Sequence, residues 1–294
     1  MVASIGGAFD RTEEVQERLR QAPAEEAQQA LAATPDGPPP SRWSLKAVRA
    51  SFPWLEGTSL SGVWRLLQRC ELRLRSARVQ HFSPDRDYLT KEAHLLDCLR
   101  EAAAHPETVA LVFLDEMGYY RWPEPTALWA AQAPQEAPQT ERGGTSQQQW
   151  RVIGALNALT GQVDYREKYI VGREQVSLFY RQLDEVYSGG KRLYVVQDNW
   201  SIHRHPEVLQ ALTSMPRIEP VWLPTYAPWL NPIEKLGRWL RQDQLYVHRL
   251  AHDWKMLRQR VNAFLDQFAG GSHALLRYVG LAGEGKLARA LQRP

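Results

Sequence analysis

Two continuous apolar runs, residues 108–114 and 191–196, stand out along the chain. Continuous rather than alternating apolar positions are typical of strands that are buried on both faces of a sheet. Further strands are predicted over 150–157, 163–171 and 218–223, and helices over 85–104, 173–187, 231–245 and 252–268. Strands in succession, then strands alternating with helices, indicate an α/β domain with a mixed sheet.

Upstream of this domain, the pattern predicts two short helices around a tight turn. Ser44 can cap the first helix and Pro53 ends it. Gly57 lies in the turn, and Thr58 or Ser59 can cap the second helix. The inward face carries Leu45, Val48, Phe52, Leu60, Val63, Leu66 and Leu67, and the outward face of the second helix carries Ser59, Ser61, Trp64, Arg65 and Gln68. Such a helix–turn–helix would offer its second helix to the major groove of DNA; a plain helical hairpin in a core is the alternative.

Breaker-rich segments set the expected domain boundaries. Residues 34–40, Thr-Pro-Asp-Gly-Pro-Pro-Pro, fit neither a helix nor a central strand, and residues 123–149 are rich in Pro, Gln and Gly and predict a long loop or insertion. We therefore expect an N-terminal helical segment with a Pro-rich linker (1–40), a small all-α helix–turn–helix domain (41–80), a linker helix (81–107), the α/β domain (108–270) and a C-terminal tail (271–294).

Charge is unevenly distributed although the chain carries only +3 overall. Residues 41–80 include eight Lys or Arg but only two acidic residues. Clustered basic charge of this kind is typical of phosphate binding. A solvated helix face is the alternative. The candidate DNA-binding residues are Arg42, Ser59, Ser61, Trp64, Arg65, Arg69, Arg73 and Arg75.

The remaining composition points to the cytoplasm. Two cysteines, Cys70 and Cys98, form neither a disulfide framework nor a zinc cluster. Residues 1–10 lack the pattern of a signal peptide, and no apolar run approaches the roughly 18 residues that cross a bilayer. We expect no membrane association.

Three acids occupy positions that favour ligand binding. Asp115 directly follows the first buried run and Asp198 the second, and the strand ends of an open α/β sheet form its ligand-binding edge. Glu234 lies in the first turn of a predicted helix, with Pro232 at its start and Asn231 as its cap. Each acid has another interpretation: a turn residue for Asp115, an Asx-turn with Asn199 for Asp198, and a capping box for Glu234.

Carboxylates gathered at one edge suit a particular chemistry. Mg²⁺ prefers oxygen ligands, and two such ions about 4 Å apart can hold the attacking and leaving oxygens of an in-line phosphoryl displacement. A carboxylate that bridges both ions, with one further acid on each side, would complete the cage.

Three sequence runs carry a family resemblance. They are Phe113-Leu-Asp-Glu-Met-Gly-Tyr-Tyr, Gln197-Asp-Asn-Trp-Ser-Ile-His203 and Leu223-Pro-Thr-Tyr-Ala-Pro-Trp-Leu-Asn-Pro-Ile-Glu234. In this order, and with Glu234 36 positions after Asp198, they resemble the DDE transposases of bacterial insertion sequences related to mariner, the insertion-sequence-630 family. The resemblance covers roughly residues 42–245.

The resemblance implies an RNase H-like catalytic fold in which Asp115, Asp198 and Glu234 bind two Mg²⁺ ions, with Mn²⁺ as a substitute. It implies that water, then a DNA 3′-hydroxyl, attacks phosphodiesters in cut-and-paste transposition. Asn199 and His203 would support the site by positioning DNA or the loop of the second acid. The expected partners are double-stranded DNA, as terminal inverted repeats and target, and a second copy of the chain on that DNA, in the bacterial nucleoid.

The sequence departs from the family pattern at several positions. Trp200 replaces a small residue, Trp229 an acid, and Gly237 an aromatic residue whose loss could loosen the helix of Glu234. Only one DNA-binding helical module is evident. Three alternatives remain open: a catalytically silent DNA-binding relative, an RNase H-like nuclease that cleaves without strand transfer, and a transcription regulator.

Overall fold

The computed structural model describes residues 44–70, 72, 82–126, 140, 142 and 146–292. The chain divides into two compact units, Met1–Gln80 and His81–Pro294. The expectations for residues 1–40 and for most of the 123–149 segment lie outside the described residues. So do three of the candidate DNA-binding residues, Arg42, Arg73 and Arg75.

The described part of the first unit contains the two predicted helices, α1 (Leu45–Ser51) and α2 (Leu60–Arg69), with a 3₁₀ turn (Pro53–Leu55) between them. Both predicted caps are confirmed: the Ser44 hydroxyl accepts from the Ala47 amide and the Ser59 hydroxyl from the Gly62 amide, each at 3.1 Å. Gly57 has φ +79° in the connection, a value that glycine adopts readily. A small core joins the helices through Val48, Phe52, Leu55, Val63, Leu66 and Cys70.

A five-stranded sheet forms the centre of the second unit. Its strands are β1 (Val109–Tyr120), β2 (Gln149–Asn157), β3 (Val163–Lys168), β4 (Arg192–Gln197) and β5 (Ile218–Trp222). They lie in the order β3-β2-β1-β4-β5. The β3–β2 and β2–β1 pairs are antiparallel, whereas β1–β4 and β4–β5 are parallel. The predicted mixed sheet is confirmed.

Helices cover both faces of this sheet. One face packs into a hydrophobic cluster with α3 (Tyr88–Ala104), α6 (Ile233–Leu240) and α7 (Trp254–Asp266). The other packs against α4 (Arg173–Val186) and α5 (Pro206–Thr213). β1 and β4 are therefore buried on both faces, as their continuous apolar runs predict. Among the described residues, no helix is long and apolar enough to span a membrane.

The C-terminal segment differs from the expected tail. Residues 271–292 contain α8 (His273–Val279) and α9 (Lys286–Leu291), and Leu275, Val279 and Leu287 of these helices belong to the core. The Ser272 amide donates to the Thr160 carbonyl at 2.9 Å. The sequence does not predict these helices, because helices of seven and six residues are too short to show a clear periodicity.

Two other boundaries also differ. β1 continues to Tyr120, six residues beyond the predicted end, because β2 pairs with it as far as Gln149. The helix predicted over 231–245 is the shorter α6, followed by a π-helical turn (Arg241–Leu245). The first difference matters most, because Asp115 lies within a paired strand rather than after it.

Candidate active site

Asp115 is held by the middle of β1. Its Cα pairs with Gly154 of β2, and the Glu116 amide donates to its Oδ1 at 2.8 Å. On the other side of β1, pairing with β4 ends at Phe113 and Val196. At Asp115, β1 is therefore no longer paired with β4 on one side, whereas it remains paired with β2 on the other side.

Asp198 follows β4 directly, as predicted. Its Oδ1 accepts from the Trp200 amide at 2.9 Å, which is an Asx-turn geometry, and the side chain is 56% exposed. Asn199 anchors this loop through its side chain. Its Nδ2 atom donates to the Leu223 carbonyl at 2.6 Å, and its Oδ1 atom accepts from Arg204 at 2.5 Å. The local turn and a functional role are thus compatible, because the turn leaves the second carboxylate oxygen available.

Glu234 lies in the first turn of α6, but Asn231 does not cap this helix as expected. The helix begins after Pro232 without a side-chain cap, and the buried Asn231 amide instead donates to the Leu114 carbonyl at 3.3 Å. This bond connects the start of α6 to β1 at the residue before Asp115. Asn231 therefore couples the third acid to the strand that carries the first.

Gly237 lies where α6 approaches β1 closely. A Cβ atom at this position would lie 3.3 Å from the Met117 Sδ atom, tighter than an ordinary contact. The close approach of α6 to Met117 therefore suits a residue without a side chain.

The three predicted acids share one cavity of about 540 Å³. Asp115, Asp198 and Glu234 line it, and its other walls include Asn199, Trp200, Ser201, Tyr226 and Asn231. A neighbouring cavity of about 300 Å³ also reaches Asp115 and Glu234 and runs toward Gly154 and Leu236. Positions 115, 198 and 234, far apart in sequence, are therefore brought together at one sheet edge.

Acidic side chains dominate the electrostatics of this cavity. Burial, followed by the charges of Glu116, Glu234 and Asp198, raises the pKa of Asp115 to about 8. Burial also raises the pKa of Glu234, and Asp198 adds to this, while Arg238 opposes it. Charged carboxylates that repel each other in a partly dry site favour a bound cation.

The buried His203 and the partly buried Glu116 lie together behind the second acid. The His203 Nε2 atom lies 3.3 Å from Glu116 Oε1 and 3.8 Å from Asp198 Oδ1, and its side chain is 1% exposed. The Trp200 ring meets the imidazole edge-on at 5.6 Å between centroids. Glu116 is not among the site residues predicted from the sequence. Its signal there is its place directly after Asp115 in the run Phe113-Leu-Asp-Glu.

The donor set fits a hard divalent cation, because the three acids offer only carboxylate oxygens. Within the described residues, no three His, Cys, Asp or Glu side chains already stand in a metal-ligating cluster. Asp115 is fixed by its strand, so the exposed side chains of Asp198 and Glu234 are those that would turn onto an ion.

The described DNA-binding candidates lie in the first unit on the exposed side of α2. Trp64 is 51% exposed, and Ser59, Ser61, Arg65 and Arg69 are also exposed. Ser59 is occupied as the helix cap. Ser61, Trp64 and Arg65 line a shallow depression together with Leu45 and Leu60.

Comparisons with known proteins identify related sequences. The profile of the DDE superfamily endonucleases matches residues 110–258, half of the chain and all three acids. An uncharacterized 39 kDa protein of insertion element IS630 from Shigella sonnei is 25% identical over 249 residues, which cover 81% of this chain and 68% of that protein.

Solved structures of the Mos1 transposase share the fold. The paired-end complex with left transposon end has a TM-score of 0.58 at 16% identity, covering 95% of this chain and 90% of that one. The strand transfer complex has a TM-score of 0.57 at 15% identity, covering 95% and 89%. The expected RNase H-like fold and the resemblance to mariner-related transposases are thereby confirmed. Because the profile of the DDE superfamily endonucleases matches half of its residues, the chain belongs to this superfamily.

Proposed function

We propose that this protein is a transposase that cleaves DNA at the ends of an insertion sequence and joins them to a target. One observation carries the proposal: Asp115, Asp198 and Glu234, in the order of the DDE motifs, line a single cavity at the open edge of the sheet. A transcription regulator would have no use for this arrangement.

The chain's own residues divide the work of the site. Asp115 supplies a carboxylate fixed by strand pairing, whereas Asp198 and Glu234 supply carboxylates on a turn and a helix start that can adjust. Asn199 ties the Asp198 loop to the Leu223 carbonyl. His203, between Glu116 and Asp198, restricts the orientation of the second acid.

Two Mg²⁺ ions, with Mn²⁺ as a substitute, are the cofactors that we propose for these carboxylates. The raised pKa of Asp115 supports this, because a desolvated carboxyl among like charges gains most from a nearby cation. When bound, such ions would polarise the scissile phosphate and stabilise the attacking and leaving oxygens. Structures of Mos1 paired-end complexes include one with Mn and one with Mg.

We propose that the first unit binds the transposon ends. Trp64, Arg65, Arg69 and Ser61 lie on the exposed face of α2. If this helix lies in the major groove, its arginines are suited to contact the phosphates on either side of the groove. Arg42, Arg73 and Arg75 are the other basic candidates in the sequence of this segment.

We also propose that two copies of the chain act together on DNA, because excision requires both ends to be held at once. The related Mos1 structures are named as paired-end complexes. The candidate contacts between copies are residues 11–33, the linker between the two domains and the insertion at 123–149. The first of these and most of the last lie outside the described residues.

The test is a cleavage and strand-joining assay with full-length protein and the DNA that flanks its gene. Asp115→Ala, Asp198→Ala and Glu234→Ala should each abolish cleavage in Mg²⁺ or Mn²⁺ while leaving binding of end DNA intact. Ca²⁺ should support binding with little cleavage. Asp97→Ala is a matched control, since Asp97 is a 70%-exposed acid on α3.

The outcomes separate the alternatives. Cleavage without joining would indicate a nuclease, and binding without cleavage by the wild type would indicate a silent relative. Full cleavage by any of the three acid variants would remove that residue from the site.

A further inference from the structure

Tyr226 occupies an unusual position at the rim of the catalytic cavity. Its side chain is 78% exposed although it is aromatic, and it lines the same cavity as Asp115, Asp198 and Glu234. A large ring kept in solvent beside three catalytic acids contributes little to the hydrophobic core. The position calls for an explanation outside protein stability.

The backbone of Tyr226 is also strained. Its φ is +53°, and among the described residues only one other non-glycine, Val247, has a positive φ. This left-handed conformation is unfavourable for an aromatic residue. Strain of this kind persists where the surrounding structure enforces it, and it concentrates at functional sites.

The enforcing contacts come from the segment before α3 and from α3 itself. The Thr225 amide donates to Asp85 Oδ2 at 2.8 Å, and the Ser83 hydroxyl donates to the Thr225 carbonyl at 2.5 Å. Lys91 pairs with the same Asp85 oxygen at 2.7 Å. Both backbone groups of the residue before Tyr226 are thus held by side chains.

The other side of Tyr226 is anchored too. A 3₁₀ turn (Pro228–Leu230) follows it, and the Trp229 indole donates to the Tyr88 hydroxyl at 2.9 Å. The chain is therefore fixed on both sides of a residue whose own side chain is left exposed. This arrangement presents the ring to whatever enters the cavity.

We propose that Tyr226 is a stacking platform for one unpaired nucleobase next to the phosphodiester that the three acids attack. The inference rests on the proposed function. Aromatic rings bind unstacked bases through their π-faces with little sequence preference, and a base within a duplex does not expose its face. The substrate is therefore DNA with at least one base displaced from the helix at the cleavage position.

The test compares two DNA probes in the presence of Ca²⁺, without relying on cleavage. One is a hairpin duplex with a five-nucleotide 3′ tail that contains 2-aminopurine, and the other is the same hairpin with a blunt end. Fluorescence anisotropy gives the two affinities, and quenching of 2-aminopurine reports stacking of that base.

The variants separate the ring from the backbone. Tyr226→Asn keeps a residue that tolerates positive φ but removes the ring, whereas Tyr226→Phe keeps the ring. Tyr169→Asn is the matched control, because Tyr169 is 60% exposed and does not line the cavity. Thermal unfolding verifies that all variants are folded.

Tyr226→Asn should weaken binding of the tailed probe by about 5- to 100-fold, the loss expected for one base–aromatic stack. It should also abolish the quenching and leave the blunt probe unaffected, while Tyr226→Phe and Tyr169→Asn match wild type. Equal affinities of Tyr226→Asn and wild type for the tailed probe would overturn the proposal. An equal loss on both probes would also do so, since it would indicate a backbone or phosphate contact. Wild-type cleavage of end DNA alongside either result would show that the proposed function stands and only the stacking role fails.

Discussion

Replacing Asp115 by asparagine should stabilise the metal-free protein while it abolishes cleavage. The carboxyl lies among Glu116, Glu234 and Asp198, and burial together with these charges raises its pKa to about 8. Asparagine has nearly the same shape but no charge, so the substitution removes the repulsion without leaving a cavity.

The pH dependence follows from the direction of this shift. The folded protein keeps the Asp115 proton up to about pH 8, whereas an unfolded aspartate loses its proton near pH 4. Between these values the folded chain binds more protons than the unfolded chain, so the stability of the metal-free wild type falls as pH rises through this range. The penalty is absent below about pH 4 and complete above about pH 8.

The rise in the pKa of Asp115 sets the size of the stability change. A pKa roughly four units above that of an unfolded aspartate corresponds to at most about 6 kcal/mol, at 1.36 kcal/mol per unit. The remaining exposure of the carboxyl and relaxation of Asp198 and Glu234 reduce this, so we expect about 2 kcal/mol of stabilisation at pH 8.5. At pH 4 the variant and wild type should be equally stable. Mg²⁺ should stabilise the wild type and have little effect on the variant.

Urea denaturation in EDTA and in Mg²⁺, at steps from pH 4 to 9, measures these quantities. Asp97→Asn removes one charge from an exposed site on α3 and controls for net charge. An Asp115→Asn protein that is no more stable than wild type at pH 8.5 in EDTA would refute the proposed electrostatics of the site.

Three further outcomes test the fold and the DNA-binding surface. Gly161→Ala should lower the free energy of unfolding by about 2 kcal/mol, because a Cβ at φ +70° would overlap the Ser272 carbonyl; Gly189→Ala, with nothing within 4 Å, should change it little in the same urea titration. Leu275→Ala should cost about 2–5 kcal/mol by chemical denaturation, because the side chain is fully buried; a loss below 0.5 kcal/mol would mean that α8 is not part of the core. Arg65→Ala combined with Arg69→Ala should lower the salt slope of DNA binding by about 1.8, from about 0.9 per phosphate contact; an unchanged slope and affinity would place DNA on another face.

The sequence predicts the buried strands and the three acids because both are local patterns. The two apolar runs predict β1 and β4, and the three DDE motifs indicate Asp115, Asp198 and Glu234. The end of β1 was missed because residues 115–120 are only partly apolar. Their strand conformation depends on pairing with β2, which begins only at residue 149 of the chain.

The unpredicted parts of the site depend on contacts between distant residues. Glu116 and His203 are 87 positions apart, and only the parallel arrangement of β1 and β4 brings them together. The conformation of Tyr226 depends on Asp85 and Ser83, which lie about 140 positions earlier in the chain. The role of Asn231 is similar: its position predicts a helix cap, but its side chain donates to the Leu114 carbonyl, just beyond Phe113, where the pairing of β1 with β4 ends.

The crossover from β4 through α5 to β5 explains why the second and third acids are spaced as they are. Parallel neighbours cannot be joined by a hairpin, so the chain must leave the sheet, form a helix and return. The 36 positions from Asp198 to Glu234 therefore correspond to α5, β5 and the loop that leads from β5 to α6. Insertions or deletions should be tolerated only at exposed points of this path, such as the turn at Ser214, which lies between α5 and β5. A length change between Leu223 and Asn231 would instead shift Glu234 relative to the strand that carries Asp115, even though all three acids remained present.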